Sequence, residues 1–156
     1  MNKYKILTII GARPQFIKSA AVSKEIRKIK NVNEIILHTG QHYDKNMSDI
    51  FFTQLNHPLP KYHLKIGGKT NNIMIGEMII EIDRVIKKEK PSLIILYGDT
   101  NTTLAGAISS KKNNIPIAHI EAGVRNYDES MPEEVNRYIT DRVSDLNFCV
   151  TNKGKK

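Results

Sequence analysis

The chain has 156 residues, 40% of them hydrophobic and 26% charged, the proportions of an ordinary globular domain, which excludes collagen, coiled coil and disorder. Its formal charge of +8 is uneven, with +7 over residues 1–30 and −3 over residues 91–150, so the excess is a local feature and not the basic, aromatic-interleaved surface of a nucleic-acid binder. Its apolar runs are far shorter than the roughly 20 residues of a membrane helix. A lone cysteine, Cys149, allows no internal disulfide, and Gly11-Ala12-Arg13-Pro14 interrupts the N-terminal apolar run before a signal peptide forms. A soluble cytoplasmic protein is expected, with neither membrane nor nucleic acid as partner.

Residues 6–10 read as a buried strand ended by Gly11. Pro14 suits the first turn of a helix whose apolar stripe is Ile17, Ala21, Val22, Ile26 and Ile29. Residues 34–39 form a second strand, followed by a weaker helix over 46–56 and an extended piece around Tyr62-His63-Leu64. The clearest helix spans 70–90, where Ile75, Met78, Ile79, Ile82, Val85 and Ile86 recur at helical spacing and Pro91 stops it. Residues 93–97 form an apolar run suited to a strand covered on both faces. A helix over 100–113, a strand over 115–120, a helix from Pro132 to about Val143 with Val135, Ile139 and Val143 on one side, and a strand over 146–150 complete the chain. Cys149 is expected in the core. Strands alternating with helices imply right-handed crossovers and a doubly wound, mostly parallel, Rossmann-like α/β sheet. Residues 1–151 form that domain, and 152–156 form a lysine-rich tail with no closing helix.

In such sheets ligands bind beyond the carboxyl ends of the strands, so the loops there carry the chemistry. They read Gly11-Ala12-Arg13-Pro14, Gly40-Gln41-His42-Tyr43-Asp44, Gly98-Asp99-Thr100-Asn101 and His119-Ile120-Glu121-Ala122-Gly123. The first lacks the second glycine of a dinucleotide fingerprint, which argues against hydride transfer. It leaves a helix start flanked by Arg13 and Lys18, either an ordinary solvated turn or an anion site using free backbone N–H groups. Asp99 and Glu121 follow successive strands and are expected to line one crevice, where two nearby acids raise one another's pKa and form an acid/base pair. Asp99 also suits the N-cap of the following helix. Glu133 and Glu134 complement the dipole of their helix, Glu133 being placed to face the crevice, and Arg137 pairs with one of them. The histidines and Cys149 lack metal-ligand spacing, and neither a serine elbow nor a phosphate-binding P-loop is present.

Together, Gly11-Ala12-Arg13-Pro14-Gln15-Phe16-Ile17-Lys18, Thr39-Gly40-Gln41-His42, Gly98-Asp99-Thr100-Asn101-Thr102-Thr103, His119-Ile120-Glu121-Ala122-Gly123-Val124-Arg125 and Pro132-Glu133-Glu134-Val135-Asn136-Arg137 resemble the non-hydrolysing UDP-N-acetylglucosamine 2-epimerases. The resemblance implies one half of a two-domain GT-B type fold, no cofactor, and inversion at C2 of a UDP-N-acetyl amino sugar by elimination and re-addition of UDP. It implies Lys18, Asp99, Glu121 and Glu133 as catalytic positions, the C2 proton being taken by any one of the carboxylates. Arg13 and Arg137 are implied near the substrate, and Gln41 and His42 in a substrate-binding loop tied in some bacterial members to a second UDP-sugar. The wording Ala12-Arg13-Pro14-Gln15-Phe16-Ile17-Lys18 resembles the branch acting on UDP-diacetamido-uronic acids. Family members are about twice as long, so the C-terminal nucleotide-binding domain is expected to be absent from this chain. Little activity is therefore expected of this polypeptide by itself, and its expected protein partners are a separately encoded C-terminal half or a second copy of the chain. The competing expectation is a nucleotide-sugar-binding module or truncated remnant without turnover.

Overall fold

The computed structural model describes residues 4–41, 52 and 54–155. Most of the helix expected over 46–56 lies outside them, as does His42. Six strands form one parallel sheet in the order β3-β2-β1-β4-β5-β6: β1 (Tyr4–Ile10), β2 (Val32–His38), β3 (Tyr62–His63), β4 (Leu93–Tyr97), β5 (Ile117–Ala122) and β6 (Leu146–Cys149). The chain winds outward from β1 to β3, then crosses to β4 and winds the other way. The switch point lies between β1 and β4. Helices α1 (Arg13–Ile26), α2 (Asn71–Glu89), α3 (Asn101–Lys112) and α4 (Pro132–Val143) connect the strands. None among the described residues is long and apolar enough to cross a membrane.

The central strands are buried on both faces, as their unbroken apolar runs require: Leu7, Ile9, Ile10, Leu37, Ile94, Leu96 and Tyr97 have no exposure. On α2 the expected stripe is the buried one. Met78, Ile82, Val85 and Ile86 enter the main core beside Met74, and Lys90 ends the helix in a left-handed conformation just before Pro91.

Helices α1 and α4 behave differently. Ile17 and Ile29 are exposed, and α1 turns Phe16, Ser19, Ala20, Ser23 and Ile26 to the sheet. Its small polar residues are accepted because Ser19 Oγ meets His57 Nε2 at 2.7 Å and Ser23 donates to Glu34 at 3.0 Å, so no buried hydroxyl is stranded. On α4, likewise, Val135 is exposed while Glu134, Asn136 and Thr140 are buried. Cys149 is half-buried on the edge strand rather than in the core. The tail folds back as a short 3₁₀ turn (Asn152–Lys155), where Cys149 Sγ donates to the Gly154 carbonyl and Gly154 lies against Gly123 so closely that a Cβ on Gly123 would fall 2.4 Å from the Gly154 oxygen.

Candidate active site

The loops at the switch point are bound to one another by a single amide. Gln15, on the first turn of α1, accepts from the N–H groups of Gly11 (2.7 Å) and Ala12 (3.0 Å) and donates to the Tyr97 carbonyl (2.7 Å) and to the hydroxyls of Thr100 and Thr103. Two N–H groups that the anion-site alternative would use are thus bonded within the protein, and Pro14 has none. Gly11 is required here by close approach, since a Cβ would fall 2.1 Å from Thr39 Oγ1 and 2.2 Å from Thr102 Oγ1, which contact each other at 2.7 Å. Gln41 Oε1 accepts from both the N–H and the hydroxyl of Thr102 at 2.9 Å, which ties the loop after β2 to the start of α3.

Asp99 is not the cap of α3, because that position belongs to Thr100. Its carboxylate pairs instead with Arg137 of α4, and its carbonyl accepts from Asn136 at 2.9 Å. Asn136 also reaches Asn101, which donates to Asn71 at 3.0 Å, so a ladder of amides joins the starts of α2 and α3 to α4. Arg137 bonds Glu134 at 3.1 Å. Burial opposes the Arg137 charge, yet Glu134 and Asp99 outweigh it and its pKa lies above the ordinary value. Burial likewise opposes the Glu134 carboxylate, but the N–H groups of Asn126 and Tyr127 and the Arg137 guanidinium bring its pKa below the usual range. Glu134 is therefore the acid that builds the loop. Glu133 beside it remains exposed.

Glu121 is not beyond its strand but within β5, at an irregularity where Ile120 pairs with Phe148 and Ala122 with Cys149. Its backbone is left-handed, with φ of +75°, an uncommon state for a non-glycine residue and one that re-aims the side chain. The carboxylate pairs with Lys18 of α1. Asp99 and Glu121 therefore do not form a bare acid pair: each holds its own cation. They are close along the backbone, because β4 and β5 are adjacent and Glu121 Oε2 would stand 3.2 Å from a Cβ on Gly98, the residue before Asp99.

A cleft of about 550 Å³ opens at this rim, lined by Gln41, Lys69, Asp99, Asn101, Glu133 and Asn136 among others. Of the expected site residues, Asp99, Glu133 and Gln41 share this wall. Lys18 and Glu121 pair with each other outside its lining, Arg137 pairs with Asp99, and Arg13 is exposed at the first residue of α1. Gln15 and Asn136 escaped the sequence reading, since an amide among ionisable neighbours gives no signal until its partners are known.

The doubly wound domain has the Rossmann-like fold of one half of a GT-B protein. The fold alone is shared with Acinetobacter baumannii MurG, at a TM-score of 0.64 and 15% identity over 92% of this chain and 40% of that one. A model of the UDP-N-acetylglucosamine 2-epimerases matches residues 24–156, and the chain belongs to that family. It is 59% identical over 147 residues to a UDP-2,3-diacetamido-2,3-dideoxy-D-glucuronate 2-epimerase of Pseudomonas aeruginosa, covering 94% of this chain and 42% of that protein. The UDP-GlcNAc 2-epimerase of Methanocaldococcus jannaschii, solved in complex with UDP-GlcNAc and UDP, superposes with a TM-score of 0.93 at 46% identity, over 97% of this chain and 41% of that one. The chain thus spans about two fifths of the length of the relatives it matches.

Proposed function

We propose that this chain is one wall of a cleft in which a UDP-N-acetyl amino sugar is inverted at C2. Residues 1–151 act as the N-terminal domain and 152–156 as its tail, in the cytoplasm. The observation that carries the reading is the pairing of Asp99 with Arg137 and of Glu121 with Lys18 on adjacent strands, with Asp99 and Glu133 lining one cleft. In the elimination a carboxylate takes the C2 proton, the C1–O bond breaks, and UDP leaves with the bonding pair. The product is a glycal with a C1–C2 double bond. In the return step a proton is delivered to the opposite face of C2 and the UDP oxygen adds to C1, so no electrons are gained or lost. Lys18 and Arg137 hold the carboxylates in place, Arg13 is assigned to balance the diphosphate charge, and Gln41 and His42 are assigned to the sugar-nucleotide loop. Identity to the Pseudomonas aeruginosa protein and the wording from Ala12 to Lys18 favour a diacetamido uronic acid as the sugar.

The partial span of the relatives favours a second reading for the chain by itself: it binds nucleotide sugar without turnover, the opposite wall coming from a C-terminal half or a second copy. The test supplies a C-terminal half of the Pseudomonas aeruginosa relative and follows C2 epimerisation, with exchange of the C2 proton for solvent deuterium. Turnover that disappears in Asp99→Asn and Glu121→Gln supports the epimerase reading. UDP-sugar binding without exchange under any pairing supports the second, and turnover unchanged in both variants removes the residue roles.

A further inference from the structure

His119 takes no part in the chemistry above, yet it is an ionisable ring on β5 with no exposure. Both ring nitrogens face oxygens, Nδ1 at 2.6 Å from Asp141 Oδ1 and Nε2 at 2.7 Å from the Gly98 carbonyl. A carboxylate and a carbonyl only accept, so both contacts are hydrogen bonds only when each nitrogen carries a hydrogen. A neutral ring would set a lone pair against an oxygen in a dry site, the costly arrangement for a buried polar group.

The surroundings suit a charged ring. Asp141 reaches in from α4, and its second oxygen accepts from the Gly123 N–H at 2.9 Å and pairs with Arg125 at 2.7 Å. Burial would raise the Asp141 pKa, but the bonds from His119, Gly123 and Arg125 outweigh it and hold it below the ordinary range. Among the described residues, Glu121, paired with Lys18, lies against Gly98, Asp99, paired with Arg137, follows it, and Arg142 shares a pocket wall with Asp141 and Arg125. On the far side of the ring, Gly98 is the joint between the two carboxylates: its φ is +64°, its N–H donates to the Ile120 carbonyl at 2.9 Å, and Glu121 lies against it.

We infer that His119 is a positioning residue held as an imidazolium: fixed by Asp141, it holds the Gly98 carbonyl and so sets the backbone from which Asp99 and Glu121 are aimed. Its functional half rests on the reading of those two carboxylates as site groups. Its structural half does not.

Long-range ¹H–¹⁵N spectra of the full chain at neutral pH are expected to show both His119 ring nitrogens protonated and protected from exchange. A singly protonated ring overturns the inference. Two substitutions then separate positioning from packing. His119→Gln places an amide donor near Nε2 and keeps the bond to Gly98, whereas His119→Asn reaches only toward Asp141. The Gln variant is expected to preserve the Gly98, Asp99 and Glu121 backbone signals and to bind UDP within about threefold of the wild type, and the Asn variant to shift those signals and weaken UDP about tenfold. Equal effects of the two, whatever their melting temperatures, overturn it. If the Asn variant does not fold, Asp141→Asn supplies the readout: it is expected to leave the ring with one proton, and a ring still doubly protonated overturns the role given to Asp141. Wild-type chain that binds no UDP would defeat the proposed function while the ring and backbone signals still decide this inference.

Discussion

Two clusters of charge stand at opposite ends of the sheet and use the same chemistry to different ends. At the amino end Glu89, the last residue of α2, is buried and fully engaged: Lys61 donates to it at 2.7 Å, Tyr62 donates to the same oxygen, and Lys5 bonds both its carbonyl (2.9 Å) and its second carboxylate oxygen (3.4 Å). The hydrogen bonds from Lys61 and Tyr62 bring its pKa down to about 2. At the carboxyl end Asp99 and Glu121 have one cation each and stay partly exposed at 29% and 33%, Asp99 lining a cleft, on a backbone that turns left-handed at Gly98, Glu121 and Gly123. A carboxylate with saturated partners and no open space can only hold the fold. One with a single partner and solvent on the other side is available to a ligand.

The largest break in that contrast comes from the close packing that supports the rim. Gly11→Ala drives a methyl into two hydroxyls and is expected to cost about 3 kcal/mol or more, read by denaturant unfolding. Next comes Glu89→Gln, expected to cost about 2 kcal/mol because two lysines and a tyrosine lose their charged acceptor. The native carboxylate contributes stability that is complete above its unfolded pKa near 4.5 and disappears as pH falls toward 2, so the acid unfolding curve of the Gln variant should flatten in that window.

A smaller effect of opposite sign sharpens the comparison. His38 is buried with neither ring nitrogen bonded among the described residues, beside Phe16, Phe52 and His63, and burial, then His63, pushes its pKa down to about 4. The unfolded chain takes up that proton from about pH 6.5, so stability falls as pH drops from 6.5 to 4. His38→Phe is expected to be neutral or stabilising by up to about 1 kcal/mol and to remove this first acid stage. Smallest in stability is Glu121→Gln, below about 1 kcal/mol because the Lys18 pair is partly solvated, while its effect on UDP-sugar turnover in a reconstituted pair is expected to be complete.

How far each element could be read depended on what its buried face is made of. Helix α2 was legible because its hidden side is Met and Ile at helical spacing, and the spacing carries that information without help. Helices α1 and α4 bury serines, an asparagine and a threonine, so of the expected stripes Ile26 is buried while Ile17, Ile29 and Val135 stand outside. Asp99 read as a cap because a carboxylate before a helix usually is one. The cap position falls on Thr100, and Arg137, 38 residues further on, takes the Asp99 carboxylate instead.

By itself the sequence determined the order of strands and helices, the doubly wound class and the loops that hold the acids, because apolar runs, spacing and glycine or proline breaks act over a few residues. Which cation each acid holds, that Glu121 sits in a left-handed kink inside β5, and that Gln15 and His119 brace the rim were decided by the tertiary structure. Those bonds join residues tens of positions apart, and a hydrogen bond depends on distance and direction in space, which neither composition nor spacing encodes.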